Sequence, residues 1–261
     1  MVDMHISDYY FKGENAMNTN DFQTNVPEPI ANLPNIYQFF HQEDHVYSTF
    51  ILGEESGLLI DTGFGEYSLD ECIRKITNKP YEVLNTHGHP DHILGNGEFS
   101  SVWLNKLDES IAKKYAEKKI FNYKWLKEGQ CFDLGNLRLK VVLLPGHTAG
   151  SIGLLWEEER LLIAGDALNP TLWLFLDECS SLSDYRKTVE YAKTLPFDHY
   201  LFAHHNEPLP KAFLDVILKN IDTLKLDETT KETILDYETY QSVYRENGME
   251  SRIVYARKTL L

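Results

Sequence analysis

The run Thr86-His87-Gly88-His89-Pro90-Asp91-His92 constrains this chain more than any other feature. Three imidazoles and a carboxylate fall within six residues, directly after an apolar stretch. Any one of these histidines could be an ordinary polar loop residue, but desolvating the whole cluster without a metal or partners would be costly. Neutral imidazole nitrogen and carboxylate oxygen are the ligands that suit zinc, iron and manganese. If residues 81–85 form a short strand and Asp91 opens a helix, residues 86–90 are the turn between them, the place where functional groups gather. Pro90 fits the first helical position, where its missing N–H costs little. His87 and His89 then share one face, while Asp91 and His92 address a second, adjacent point. The spacing predicts two ligand pairs on neighbouring metals, roughly 3.5 to 4 Å apart in two-metal enzymes.

Further ligands have to come from other segments, and three apolar runs end in candidates. The stretch from Leu137 to Leu144 ends in Pro145-Gly146-His147, placing His147 on a strand-end turn. Leu161-Leu162-Ile163-Ala164-Gly165 leads to Asp166, the first polar side chain of a buried strand and a carboxylate that could bridge two metals. Tyr200-Leu201-Phe202-Ala203 delivers His204 and His205. Neighbouring strand residues point opposite ways, so one of this pair is expected as a ligand and the other as a substrate contact. His204 is the preferred ligand, which leaves His205 for the catalytic role.

His87-x-His89-x-Asp91-His92, then His147, Asp166 and His204, preceded by Leu59-Ile60-Asp61-Thr62-Gly63, resemble the metallo-β-lactamase superfamily in order and placement. The resemblance covers roughly residues 35 to 210. It implies an α/β (α+β) fold, a four-layer αββα sandwich in which two mixed sheets face each other with helices outside. It further implies two divalent metal ions, zinc by preference, with iron or manganese as alternatives. His87, His89 and His147 would hold the first metal, Asp91, His92 and His204 the second, and Asp166 would bridge. Asp61 would lie beneath the ligands as an orienting carboxylate. The implied reaction is hydrolysis by a bridging hydroxide, with Asp91 orienting it and later carrying its proton.

Length and composition allow that fold. With 261 residues, 43% of them hydrophobic, and no linker or low-complexity run, the chain reads as a single domain. Residues 1–34 form an N-terminal extension that could cover a sheet edge, and residues 211–261 a C-terminal extension of helix and strand. Strands are expected near Ile36–Phe40, Tyr47–Leu52, Gly57–Asp61, Val83–Thr86, Ser101–Leu104, Leu137–Leu144, Ile152–Trp156, Leu161–Ala164 and Tyr200–Ala203. Helices are expected over Ser68–Ile76, Leu107–Lys118, Ser183–Thr194 and Lys211–Leu224, with Ser183 as the N-cap of the third.

Nothing in the N-terminal residues reads as a secretory signal, and no run is apolar enough to span a bilayer, so a soluble, cytoplasmic protein without membrane contact is expected. Cys72, Cys131 and Cys179 are odd in number and widely separated, which suits reduced structural thiols. A formal net charge of −15 would repel a polyanion, so nucleic acid is not expected as a partner. Lys113-Lys114 with Lys118-Lys119, alternating with Glu117, reads as a solvated helix face. Tyr237, Tyr240 and Tyr244 could pack on a sheet or line a dimer contact, which leaves homo-oligomerisation open.

The substrate that the resemblance implies is a small-molecule ester, thioester or lactone. The apolar stretch Leu172–Leu176 after Asp166 could wall an acyl pocket or simply be core. The resemblance extends to hydroxyacylglutathione hydrolases through His87–His92 and Pro145–Ser151, but residues 211–261 lack the basic helical domain that binds glutathione there. Three alternatives stand beside this reading. One is an iron-dependent persulfide dioxygenase, with a single metal and Asp91 and His92 unligated. Another is a non-catalytic metal-binding protein, and the least favoured is a phosphodiesterase or nuclease.

Overall fold

The computed structural model describes residues 29–30, 33–42, 45–116, 121–224 and 230–260. Residues 1–28 of the expected N-terminal extension, and Glu117, Lys118 and Lys119, lie outside them. The described residues divide into two compact units, one reaching to Lys140 and including Ala203–Glu207, the other made of Val141–Phe202 and the residues from Pro208 onward.

The first unit is built on a seven-stranded sheet whose spatial order follows the chain. Its strands are β1 (Pro29–Ile30), β2 (Leu33–His41), β3 (Val46–Leu52), β4 (Gly57–Ile60), β5 (Tyr81–Leu84), β6 (Val102–Asn105) and β7 (Tyr123–Leu126). The first four pair antiparallel and the last three join parallel, so β4 and β5 are flanked on both sides. All four residues of β4 are buried, as expected for a strand covered on both faces. Helix α1 (Leu69–Ile76) starts where Ser68 accepts a bond from the Glu71 amide. It buries Leu69 and Ile73 against Phe39, Phe50, Leu59 and Val83.

After β5 comes the turn that carries the histidine run, and then helix α2 (Pro90–Ile93), in which Pro90 occupies the first turn and His89 the cap position. Helix α3 (Glu109–Tyr115) follows β6. Strands β8 (Cys131–Asp133) and β9 (Arg138–Leu143) form a hairpin, and β9 runs on into the second unit. The segment 203–207 joins the first unit because the Tyr47 amide donates to the Ala203 carbonyl at 2.7 Å and the Gln38 side chain donates to the His205 carbonyl at 3.4 Å.

In the second unit, β9 continues a sheet with β10 (Ile152–Trp156), β11 (Leu161–Ile163), β13 (His199–Leu201) and β14 (Leu209–Pro210), in the order β14-β13-β11-β10-β9. A further sheet has the order β12-β17-β16-β15, from β12 (Thr171–Leu174), β15 (Thr230–Ile234), β16 (Tyr237–Glu246) and β17 (Met249–Tyr255). Helices α4 (Leu182–Thr194) and α5 (Phe213–Thr223) pack on each other, and α5 also packs on β16 and β17. Tyr185, Val189, Phe213, Ile217, Tyr240 and Ile253 share one core with β10 and β11 residues.

Several expectations need correction. Ser181, not Ser183, caps α4: its hydroxyl accepts from the Asp184 amide at 3.1 Å, and Ser183 already lies inside the first turn. The helix expected from Leu107 begins as a 3-10 turn at Lys106–Asp108 and becomes α-helical only from Glu109. Lys113 pairs with Glu109 on an exposed face, as a solvated helix should. Strands β7, β8, β12, β14, β15, β16 and β17 were not among those expected. The three tyrosines lie on β16, where Tyr240 is buried and stacks on Tyr255 with ring centres 5.8 Å apart. Among the described residues no helix is long and apolar enough to cross a membrane, which says nothing of membrane-spanning strands.

Candidate metal centre

Within the first unit, parallel pairing of β4 and β5 brings two strand ends side by side. The Asp61 amide continues the ladder by donating to the Leu84 carbonyl at 2.8 Å, so Asp61 and the histidine turn emerge together. His87 and His89 are both buried, with His87 Nε2 and His89 Nδ1 3.0 Å apart. Asp91, His92 and His204 form a second group whose donor atoms all lie within 4.8 Å of one another. There His92 Nε2 is 3.1 Å and His204 Nε2 is 3.7 Å from Asp91 Oδ2. Short contacts among buried ligand-type atoms suit a shared cation, because each atom presents electron density to the same point.

Asp61 holds this arrangement from beneath. Its Oδ1 accepts from the Thr86 amide at 2.7 Å, while its Oδ2 accepts from the Thr86 hydroxyl at 2.8 Å and from His92 Nδ1 at 2.9 Å. A carboxylate can only accept from His92, so the proton sits on Nδ1 and the Nε2 lone pair faces Asp91 and His204. Asp61 adopts a left-handed backbone, φ 61°, which its short polar side chain tolerates. Another carboxylate, Asp108, is fully buried and accepts from the Gly88 amide at 2.9 Å, fixing the middle of the histidine turn against the start of α3. Asn85 and Thr62 donate to the His92 carbonyl at 2.7 and 3.0 Å, which satisfies an acceptor at the C-terminal end of α2.

In the second unit, His147 follows β9 and Asp166 follows β11. Both are buried, with His147 Nε2 3.7 Å from Asp166 Oδ2. His147 Nδ1 donates to the Trp173 carbonyl at 3.2 Å, so this imidazole also turns Nε2 toward a carboxylate.

His204 and His205 separate clearly. The His204 ring is buried and 6.1 Å from that of His92. His205 is partly exposed and its Nδ1 accepts from the Glu207 amide at 3.0 Å, within its own turn. His45, outside the histidine run, is held by burial below the usual histidine range, with the neighbouring charge of His204 adding to the effect. The sequence reading overlooked Asp108, for which the signal was a carboxylate at the start of a helix just after a strand, and the Trp173 carbonyl, for which a sequence carries no signal. The three cysteines are free thiols, and burial pushes Cys72 upward and Cys179 up to about 12.

Buried imidazoles and carboxylates at strand ends of a mixed α/β chain form a donor set that could hold divalent metal ions. The chain belongs to the metallo-β-lactamase superfamily, whose profile matches residues 41–204, more than half of its length. A hydroxyacylglutathione hydrolase from Francisella philomiragia is 28% identical over 123 residues, 47% of each chain. A human hydroxyacylglutathione hydrolase-like protein is 33% identical over 133 residues, 49% of this chain and 44% of that one. The chain thus matches about half the length of these relatives. Among solved structures, a metallo-β-lactamase from Pontibacter korlensis aligns with a TM-score of 0.60 at 18% identity, over 72% of this chain and 94% of that one. The likeness shows the fold: the chain has the metallo-β-lactamase fold, which the sequence resemblance implied.

Proposed function

We propose that the chain is a binuclear metal-dependent hydrolase acting on a small-molecule ester, thioester or lactone. The observation that carries this reading is the buried group of Asp91, His92 and His204 above Asp61. The donor set of imidazoles and carboxylates suits zinc, and iron or manganese nearly as well. In this reading His87, His89 and His147 would hold the first ion, Asp91, His92 and His204 the second, and Asp166 would supply a further carboxylate ligand. When bound, such ions supply a water nucleophile at neutral pH and a Lewis acid for the substrate carbonyl.

The remaining work falls to this chain's own residues. Asp61 and the Trp173 carbonyl fix the tautomers of His92 and His147, so each presents a lone pair at Nε2. Asp91 engages neighbours through Oδ2, and its other oxygen, Oδ1, is the proton acceptor we assign to the attacking water. His205, partly exposed in the turn after His204, is the substrate contact in this reading. The approach of Asp91 to both His92 and His204 favours two metals over the single-iron alternative, in which Asp91 and His92 would have no ligand role. The strong net negative charge keeps small molecules, rather than nucleic acid, as the partners of this site.

Metal content per chain of protein purified without chelator, measured by elemental mass spectrometry, tests the reading together with a panel of esters, thioesters and lactones. About two ions per chain, falling to about one in Asp91→Ala with loss of hydrolysis, is the expected result. A single iron, unchanged in Asp91→Ala, overturns it.

A further inference from the structure

His41, the last residue of β2, is buried with no exposed surface, and nothing in the proposed chemistry uses it. Its Nε2 lies 2.8 Å from the hydroxyl of Ser48 on β3, which is buried as well. Its Nδ1 has no hydrogen-bond partner among the described residues and faces Glu66 Oε2 at 3.6 Å. A carboxylate oxygen repels a lone pair and attracts an N–H, so the proton belongs on Nδ1 and Ser48 donates to Nε2. A buried nitrogen short of a full hydrogen bond costs stability, and an apolar ring of the same shape would avoid that cost.

The surroundings of the ring show what its polarity serves. Three consecutive residues at the end of β2 grip the segment that leaves β4. The Tyr67 hydroxyl donates to the Phe40 carbonyl at 2.9 Å, the Tyr67 ring stacks on His41 with centres 5.1 Å apart, and Glu66 Oε2 accepts from the Gln42 amide at 3.3 Å. Against the same ring lies Gly63, where a β-carbon would come within 2.3 Å of His41 Cε1 and Nδ1. Gly63 stands two residues after Asp61, and its carbonyl accepts from the Gly95 amide at 3.2 Å, just past α2. The path from Asp61 to Tyr67 is therefore fixed by His41 and by the turn after α2, and Asp61 at its start accepts from His92 Nδ1.

We propose that His41 is a positioning residue of the metal centre: oriented by Ser48 and drawn towards Glu66, its ring sets the path of residues 61–67 and thereby the place of the Asp61 carboxylate beneath His92. The proposal rests on the reading of His92 as a metal ligand and involves only residues of the first unit. Plain core packing would behave differently, because a phenyl ring fills the same space without the buried polar atoms and would leave metal binding as it is.

The test titrates zinc, in competition with a chelator, into the metal-free full-length protein labelled with 15N-histidine, whose His92 ring nitrogens report the ion at that residue. In the wild type the His41 resonances are expected to show the proton on Nδ1. His41→Phe is expected to keep or raise the melting midpoint of the metal-free protein while weakening zinc binding at His92 about tenfold, the low end for an outer partner of a ligand. Glu66→Gln should weaken it too, and the two substitutions together no more than His41→Phe alone, because both remove one contact. Should His41→Phe not fold, Ser48→Ala keeps the ring and removes its orienting hydroxyl, with a loss of about threefold expected.

Zinc affinity unchanged in His41→Phe and in Ser48→Ala makes His41 ordinary core and overturns the proposal. Strictly additive losses in the double variant, or a wild-type proton on Nε2, overturn it as well. A wild type whose His92 nitrogens do not respond to zinc overturns the metal reading, and the proposal falls with it.

Discussion

Asp61 carries three hydrogen bonds on two oxygens, and that arithmetic makes it a sharp probe of the metal centre. Asparagine tolerates the same left-handed backbone, so Asp61→Asn leaves the turn in place while converting one acceptor oxygen into an amide donor. Oδ1 serves the Thr86 amide and Oδ2 serves both the Thr86 hydroxyl and His92 Nδ1, so whichever way the amide flips, at least one buried donor loses its acceptor. The expected outcome is a loss of about 10- to 100-fold in affinity for the ion held by His92, read by chelator competition. A destabilisation of the metal-free protein by roughly 1–3 kcal/mol in urea should accompany it. Unchanged metal affinity would mean that His92 is oriented by something other than this carboxylate. Asp61 and His92 could both be read from the sequence as residue types at strand ends. Their bond could not, because it depends on β4 and β5 pairing in parallel so that the two strand ends coincide.

At the scale of elements, the histidine turn leads into α2 and packs on the start of α3, and Gly88 sits tightly against that helix start. A β-carbon on Gly88 would lie 3.0 Å from the Asp108 carbonyl oxygen, 3.1 Å from the Ala112 nitrogen and 3.2 Å from the Ile111 side chain. Backbone cannot yield as a flexible side chain can, so Gly88→Ala must push the turn away from α3 and strain the Asp108 bond to its amide. The expected outcome is about 1–3 kcal/mol of lost stability and displaced His87 and His89, seen as lower metal occupancy with a melting transition that stays cooperative. Full occupancy and an unchanged midpoint would count against a rigid turn. The elements around this turn were legible because strong signals coincide there: the four apolar residues of β4, Pro90 at a helix start, and Ser68 as a cap. Strand β16 hides because its sequence, YETYQSVYRE, mixes polar and aromatic residues without a clean apolar face. Strand β12 hides because TLWL, which begins five residues after the candidate ligand Asp166, reads equally as pocket wall or core. Only pairing with β17, some eighty residues later, shows it to be sheet, and no local pattern carries that information.

For the whole chain, the C-terminal segment supports the second unit. Strand β17 pairs in parallel with β12 from Thr171↔Arg252 to Leu174↔Tyr255, and the Arg252 amide donates to the Pro170 carbonyl at 2.7 Å. Thr259 closes the end of the ladder by donating its hydroxyl to the Leu174 carbonyl at 2.7 Å. The residue held in the middle of β12 is Trp173, whose carbonyl accepts from His147, so sheet packing far from the family motif reaches a candidate metal ligand through one strand. Ile253 lies opposite Leu172 and is fully buried in the core shared with α4 and α5. Ile253→Ala removes that packing without touching any ligand or polar bond, and a buried truncation of this kind costs about 2–5 kcal/mol. If β17 positions His147 through Trp173, the variant should lose metal affinity beyond what its lower melting point explains, measured at a temperature where it is fully folded. If the sheet contributes stability alone, the folded variant should bind metal as tightly as the wild type. Comparing metal-free and metal-loaded melting curves decides between these outcomes, because a ligand that binds only the native state raises its stability in proportion to the logarithm of its affinity.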